Sequence, residues 1–318
     1  MTNVLRTKYA SLITALVICV SNIYADPCCP AAVPCCSSDT CCEEYWVSAD
    51  LLYLRACEDG FGCDFGTTEI AITPVSGRTI TDITESDDDI DFNWNAGFRL
   101  GAGYGYDSGC WNPAIYWTHF NETAKGHDGE NHAHWKLKFN ELDAVIAYKI
   151  DYCNGFSFKP FFGARYARID QTISSHLEAT ITTTSTGAVS TVISTKKDHE
   201  NFWGAGPLLG FEGDFDLGCG FSVYGNLAGN VLFGEFKTHF NDTDLFTLVT
   251  NNCHSHSKGC SVLTGYDAGL GIRYAFGCEM PVLLQLGLEQ HAYFDYNKLG
   301  CNGDLNLYGV NLSVGVQF

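Results

Sequence analysis

The sequence is short of charged residues, of positive charge in particular, and of long apolar runs. Charged residues make up 17% of the chain, whereas a soluble domain normally carries about 25%. There are 18 Lys and Arg against 37 Asp and Glu, which argues against nucleic acid as a partner, because phosphate binding needs basic patches. No run reaches the roughly 20 apolar residues of a transmembrane helix. A Gly-x-Ser-x-Gly nucleophile elbow is also missing, and no enzymatic activity is predicted.

The N-terminus has the pattern of a secretory signal peptide. Arg6 and Lys8 precede an apolar run over residues 10–20, and the small residue Ala25 follows, the order typical of a signal sequence. Residues 1–25 are the predicted signal peptide. A transmembrane anchor is the first alternative, although the apolar run is shorter than the roughly 20 residues that span a bilayer, and a lipoprotein site at Cys19 is the second. Cleavage leaves 16 Lys and Arg against 37 Asp and Glu, a net charge of 16 − 37 = −21.

Residues 26–44 are predicted to form a flexible periplasmic arm. The segment contains prolines and small residues but no periodic apolar face. Its six cysteines form three adjacent pairs: Cys28 and Cys29, Cys35 and Cys36, Cys41 and Cys42.

Residues 45–318 alternate between apolar and polar side chains, the pattern of β-strands with one apolar face. Between Asp91 and Tyr106 every even position is apolar, while the odd positions are Asp, Asn, Gly or Arg. Few charges, 14% aromatic residues and no helix-length run indicate a closed barrel, since only helices and closed barrels satisfy every backbone group in lipid. The predicted fold is an all-β, antiparallel up-and-down barrel of the bacterial outer membrane, with about ten strands.

The strand boundaries follow from the same alternation. Strands are expected at 45–56, 90–106, 111–122, 133–151, 156–180, 192–217, 220–240, 260–276, 281–296 and 304–318. Short periplasmic turns alternate with long outer loops at 57–89, 123–132, 181–191, 241–259 and 297–303. The alternation slips near Asn140, which predicts a β-bulge. The terminal Phe318 looks like the tag read by the bacterial barrel-assembly machinery; a soluble sandwich that ends this way is the alternative.

Sixteen cysteines indicate an oxidising compartment. Each of the four short turns holds one: Cys110, Cys153, Cys219 and Cys278. Because a disulfide needs Cα atoms within about 7 Å, these are expected to bond the arm or another protein, and inert turn residues are the alternative. Cys57 with Cys63, and Cys253 with Cys260, are expected to form local disulfides in outer loops. A metal site within residues 253–260 is a further alternative, but no metal or cofactor is predicted.

Four segments resemble the pore-forming major outer-membrane proteins of the Legionella type, a family with relatives in environmental chlamydiae. They are residues 48–54, 93–104, 111–120 and 310–318. The resemblance implies an outer-membrane porin surrounded by lipid and lipopolysaccharide. The cysteine excess is similar to the chlamydial envelope, in which the major barrel is disulfide-linked to cysteine-rich proteins. It implies such proteins, or a second copy of the chain, as partners.

The expected function is therefore a diffusion pore for small hydrophilic solutes, cross-linked into the envelope. Many inward positions are glycine or alanine, which leaves room in a barrel of about ten strands. Eight charged residues are expected to line the pore: Asp91, Arg99, Lys149, Lys159, Arg165, Asp267, Arg273 and Glu289. A non-conducting structural or adhesive barrel is the alternative. His119, His239 and His291 are interpreted as polar interface residues near strand ends.

Overall fold

The chain folds into one antiparallel β-sheet that closes on itself. The computed structural model describes residues 44–58, 93–105, 111–128, 131–152, 155–183, 188–246, 249–277, 281–299 and 303–318. The strands are β1 (Glu44–Glu58), β2 (Asn95–Gly105), β3 (Trp111–Asp128), β4 (Asn131–Tyr148), β5 (Ile150–Asp151), β6 (Phe156–Thr183), β7 (Ala188–Gly218), β8 (Phe221–Phe246), β9 (Val249–Phe276), β10 (Val282–Asn297) and β11 (Gly303–Gln317). Within these ranges, no helix has the length and apolarity to cross a membrane. The predicted signal peptide and the six arm cysteines lie outside the described residues.

Consecutive strands pair with each other, and the first strand pairs with the last. Where β1 meets β11, Trp46 lies opposite Gln317, and the backbones of Tyr45 and Phe318 exchange two hydrogen bonds of 2.8 Å. The short β5 continues β4, since both pair with β6, and the ring therefore contains ten strands. The predicted closed antiparallel barrel is confirmed. Each described strand of the ring therefore has hydrogen-bonded neighbours on both sides.

The two ends of the barrel differ. One end, called here the turn end, carries Tyr45, Phe318 and the tight turn between β7 and β8. In that turn Cys219 and Gly220 have φ values of 55° and 81°, as a type I′ hairpin turn requires. At the opposite end, called the loop end, β6 and β7 extend as strands of 28 and 31 residues. Because about 9–11 residues suffice to cross a bilayer, these strands project well beyond it.

A band of exposed apolar side chains surrounds the turn-end part of the barrel. Members of the band include Leu51, Leu100, Ile115, Leu142, Leu209, Leu227, Ile272, Leu286 and Leu312. An inner belt of aromatic residues borders it at the turn end: Tyr45, Trp111, Tyr152, Phe215, Phe221, Phe276 and Phe318. An outer belt borders it toward the loop end: Tyr53, Trp94, Trp117, Tyr166, Trp203 and Phe233. Two aromatic belts around an apolar band are characteristic of transmembrane barrels.

On β7, the spacing of the two belts is close to the thickness of a membrane. Trp203 and Phe215 lie twelve positions apart on β7. At about 3.3 Å per residue and a strand tilt of about 40°, this separation is about 30 Å along the barrel axis. The hydrocarbon core of a bilayer is also about 30 Å thick.

Beyond the outer belt, the polarity of the two faces of the sheet is reversed: the outward side chains are polar and the inward side chains are apolar. Within the band, β4 exposes Leu142 on the outside and buries Glu141 on the inside; beyond it, the same strand exposes Lys138 and buries Phe139. The inward parity does not change, and Asn140 lies in an uninterrupted register opposite Arg168. The bulge predicted at Asn140 is therefore wrong. The exchange of polar and apolar faces at the membrane boundary imitates a slip in the alternation.

The same exchange explains a second difference from the prediction. The loops expected at 123–132, 181–191 and 241–259 are largely strand, and β8 and β9 remain paired up to Phe246 and Val249. Outside the membrane, a strand needs polar residues on its outer face, and this makes its sequence resemble a loop.

Candidate functional site in the barrel interior

The inward-facing side chains form three layers. A polar vestibule lies at the turn end, a layer of ion pairs lies in the middle, and an apolar core lies toward the loop end. β1 contributes to each in turn, through Trp46, Asp50 and Leu54. The layers follow from the alternation, because every second side chain of a strand points to the same side.

The vestibule is a cavity of about 420 Å³. Arg273 is its central charged group, and its guanidinium lies 2.7 Å from Asp214, 3.2 Å from Glu212 and 4.9 Å from the ring centroid of Tyr224. The cavity reaches Pro281 at the turn end. Its other polar lining residues include Ser48, Asn112, Tyr116, Lys159, Asn226, Gln285 and Gln317. Such a lining suits water and small polar solutes.

Arg165 is the centre of the ion-pair layer. It lies on β6, is 4% exposed, and contacts Asp143 at 2.7 Å, Glu141 at 3.1 Å and Asp267 at 2.6 Å. Asp143 and Glu141 come from the neighbouring β4, but Asp267 comes from β9, from which β6 is separated by β7 and β8. The contact between Arg165 and Asp267 therefore crosses the interior.

Arg99 extends this layer toward β1. Its guanidinium lies 3.1 Å from each carboxylate oxygen of Glu289 on β10 and 3.4 Å from Asp50 on β1. His291 joins the two arginine clusters, because one ring nitrogen lies 2.6 Å from Asp267 and the other lies 3.3 Å from Glu289. A continuous chain of ionisable groups thus spans the interior from β1 to β6.

Glu141, Asp267 and His291 also have the proximity of a metal site, with ligand atoms within 4.8 Å of one another. Arg165 contacts both of these carboxylates, however. Its guanidinium already supplies the positive charge that a metal ion would bring. The geometry favours an ion-paired cluster.

The apolar core fills the interior between the ion-pair layer and the loop end. Phe139 and Tyr293 are fully buried with ring centroids 5.9 Å apart, and the rings of Phe202 and Phe236 are 4.6 Å apart. Further members include Leu52, Leu54, Phe120, Trp135, Leu137, Ile169, Leu232, Leu263, Tyr296, Leu305 and Leu307. Every strand of the ring except β2 contributes to it. The core therefore draws its members from nine of the ten strands of the ring.

Six of the eight residues predicted to line a pore face the interior: Arg99, Lys159, Arg165, Asp267, Arg273 and Glu289. Lys149 lies instead at the interruption between β4 and β5, partly exposed and 3.4 Å from Asp151. Asp91 lies outside the described residues. Their part in conduction stays a prediction.

Sequence reasoning missed four members of the ion-pair layer: Asp50, Glu141, Asp143 and His291. The interpretation of His291 as an interface residue is wrong, because it is 5% exposed in the interior. A signal was available, since His291 follows two positions after Glu289, which the alternation had already placed inward. Glu141 and Asp143 were obscured by the apparent slip at Asn140.

The cysteine predictions have different outcomes. Cys219 is exposed in the β7–β8 turn at the turn end, while Cys110, Cys153 and Cys278 lie outside the described residues. Cys253 and Cys260 lie seven positions apart in the extended strand β9. Their Cα atoms are about 23 Å apart at 3.3 Å per residue, too far for a disulfide. The predicted bond between them is wrong, as is their placement in a loop.

The comparisons with known proteins agree with this fold. The family model described as "Legionella pneumophila major outer membrane protein precursor" matches residues 33–316. No curated protein sequence matches the chain.

Solved structures with similar folds are outer-membrane barrels of low sequence identity. The outer membrane protease OmpT from Escherichia coli is 13% identical with a TM-score of 0.46, and the alignment covers 89% of this chain and 99% of OmpT. Ail, the attachment invasion locus protein of Yersinia pestis, is 9% identical with a TM-score of 0.31, over 86% and 98% of the two chains. Neisserial surface protein A is 13% identical with a TM-score of 0.29, over 86% and 95%. These values carry no information on activity.

The family match, in contrast, extends over most of the sequence, and the chain therefore belongs to the Legionella major outer membrane protein family of outer-membrane β-barrels.

Proposed function

We propose that this protein is a structural barrel of the outer membrane whose interior is closed to solutes, and that disulfides link it to other envelope proteins. The apolar core around Phe139 is the observation that carries the first part. In outer-membrane barrels, short turns face the periplasm. The vestibule is then a periplasmic pocket with a closed end.

Two successive barriers support closure. A solute that leaves the vestibule meets the contact between Arg165 and Asp267, and it would have to separate these two buried, oppositely charged groups to pass. It then meets the apolar core, where a polar group without a hydrogen bond costs about 2–7 kcal/mol. The buried pair of His291 and Asp267 lies beneath the same core, and we propose no enzymatic role for it.

A diffusion pore is the second candidate function. The observation in its favour is the vestibule, which brings a polar cavity of about 420 Å³ up to the ion-pair layer. Conduction would require both Arg165 to part from Asp267 and the core to be displaced.

Planar-bilayer conductance of the purified, folded protein tests closure. The wild-type protein is expected to give no steady conductance. A variant that opens both barriers, Arg165→Ala with Phe139→Gly, Phe202→Gly and Phe236→Gly, is expected to conduct. Its matched control carries the same kinds of change at outward positions of the same strands, Arg168→Ala with Lys138, Asn201 and Lys237 replaced by glycine, and is expected to stay closed.

Steady conductance of the wild-type barrel would overturn the proposal in favour of a pore. In that event, a change of ion selectivity in Arg99→Glu or Arg273→Glu would assign these residues to the pathway.

The disulfide proposal rests on the exposure of Cys219 in a turn at the periplasmic end. Intact envelopes are compared on non-reducing and reducing gels. Cys219→Ser is expected to remove part of the cross-linked material. Cys260→Ser is the control, because Cys260 is exposed on the outward face of β9, opposite Glu235 and beyond the outer belt. An unchanged non-reduced pattern in Cys219→Ser would contradict a role for this cysteine.

A further inference from the structure

A basic depression lies on the outer surface of the barrel, separate from the interior. It has a volume of about 500 Å³. Its lining residues, called here the basic patch, are Lys136, Lys138, Arg168, Asp170, Thr172, His199, Asn201, Lys237 and His239. They lie on the four adjacent strands β4, β6, β7 and β8. All point outward, opposite in parity to the buried core residues of the same strands.

The register arranges the patch in rows that run across the strands. Arg168 pairs with Trp203, a member of the outer belt. The next row contains Lys138, Asp170, Asn201 and Lys237, and the row beyond it contains Lys136, Thr172, His199 and His239. The patch therefore begins at the outer belt and rises away from the apolar band. Aromatic belts lie at the level of lipid headgroups.

The charge of the patch is opposite to that of the chain. Four Lys and Arg face one Asp in the patch, whereas the whole chain carries 18 Lys and Arg against 37 Asp and Glu. Arg168 is paired with Asp170 at 3.0 Å, and Lys237 with Glu235 at 3.2 Å.

Two lysines of the patch are not held in an ion pair. Among the residues that the structure describes, no carboxylate lies within ion-pair distance of Lys136 or Lys138, which protrude from one strand two positions apart. Neighbouring like charges repel one another. An anion bound between them would remove this repulsion.

We propose that the basic patch binds the phosphate groups of a phosphorylated lipid headgroup in the outer leaflet. Lys136 and Lys138 supply ammonium groups, and Thr172 and Asn201 add neutral hydrogen-bond donors between the cations. Ammonium and guanidinium groups form strong charge-assisted hydrogen bonds with phosphate oxygens. The acyl chains of the same lipid would lie along the apolar band beneath Trp203 and Phe233. The inference does not depend on whether the barrel conducts.

Binding of defined lipids to the purified full-length protein in detergent micelles tests the proposal. The probes are bisphosphorylated lipid A, the same lipid after enzymatic dephosphorylation, and inorganic phosphate. Lys136→Gln with Lys138→Gln is expected to weaken binding of the bisphosphorylated lipid about tenfold or more, given the contribution of each cation near a charged lipid surface. Lys136→Arg with Lys138→Arg keeps the charge and is expected to retain binding.

Three results would overturn the proposal. The first is equal affinity of the wild type for the phosphorylated and the dephosphorylated lipid. The second is unchanged binding in the glutamine variant. The third is binding of inorganic phosphate as tightly as the lipid, which would indicate a site for the free anion. Arg55→Gln serves as a further control, because Arg55 also lies beyond the outer belt but on β1, and it is expected to bind as the wild type does.

Discussion

Removal of the Arg165 guanidinium tests whether the ion-pair layer holds the barrel together. Arg165→Met keeps much of the side-chain volume but leaves Asp143, Glu141 and Asp267 without the cation that all three contact. Breaking a buried ion pair by removing one partner costs about 3–5 kcal/mol, because the remaining charge stays buried and unpaired. For a chain of this size, that loss corresponds to a fall of roughly 6–10 °C in the unfolding temperature.

Arg168→Gln is the matched control. Arg168 lies three positions further along β6, its side chain is 54% exposed, and its partner is the surface residue Asp170. Exposed ion pairs contribute about 0–1 kcal/mol, so the expected fall is no more than roughly 2 °C. The temperature at which each folded barrel loses its compact mobility on a gel in SDS measures both variants.

A third variant separates charge from volume. Adding Glu141→Gln and Asp143→Asn to Arg165→Met removes two of the orphaned carboxylates, and buried ion pairs can often be replaced by neutral groups without loss. Partial recovery of the unfolding temperature is expected. If Arg165→Met unfolds at the same temperature as Arg168→Gln, the ion-pair layer does not stabilise the barrel as described.

Three further predictions concern the rest of the barrel. Phe139→Ala is expected to lower the free energy of unfolding by about 3–5 kcal/mol, and Lys138→Ala by less than about 0.5 kcal/mol; equal effects in denaturant titrations would contradict the apolar core. Glu200 lies beyond the outer belt, and burial raises its pKa to about 8. Because the folded chain holds this proton more tightly than the unfolded chain, the free energy of unfolding is expected to fall as pH rises from about 4.5 to about 8. Glu200→Gln should flatten the unfolding temperature over that interval, and an unaltered slope would count against this assignment. Deletion of Phe318 removes the terminal backbone pairing with Tyr45 and is expected to lower the fraction of folded barrel in the membrane, measured by heat-modifiable mobility after pulse labelling.

The strand count could be predicted from the sequence because the apolar band imposes one rule on every strand. Within the band, lipid requires apolar side chains outside, and strictly alternating stretches such as the one around Arg99 leave one parity available. The same rule placed Arg273 and Glu289 inward. Alternation therefore assigns inward and outward side chains correctly wherever lipid surrounds the sheet.

The rest could not be predicted because the rule reverses outside the band. At Lys138 and Phe139 the outer solvent is water, and the core is inside. If apolar side chains are assumed to face outward along the whole strand, the reversed segments look like a bulge, as near Asn140, or like a loop, as at Cys253. The contacts across the interior were also out of reach, since the pairing of Arg165 with Asp267 depends on the closure of the ring and not on any local spacing.

The ion-pair layer has a mechanical consequence. A closed sheet with no contacts across its interior can be flattened by lateral pressure at little cost in free energy, because only the sheet has to bend. Arg165 and Arg99 contact carboxylates on strands that are not their neighbours, Asp267 and Glu289. A change in the shape of the cross-section would therefore stretch these charge-assisted contacts. Tension applied at one point of the rim, for instance through a covalent bond at Cys219, would be carried around and across the barrel as a whole. If the proposed disulfide at Cys219 forms, the contacts across the interior would let the barrel resist the forces that it transmits.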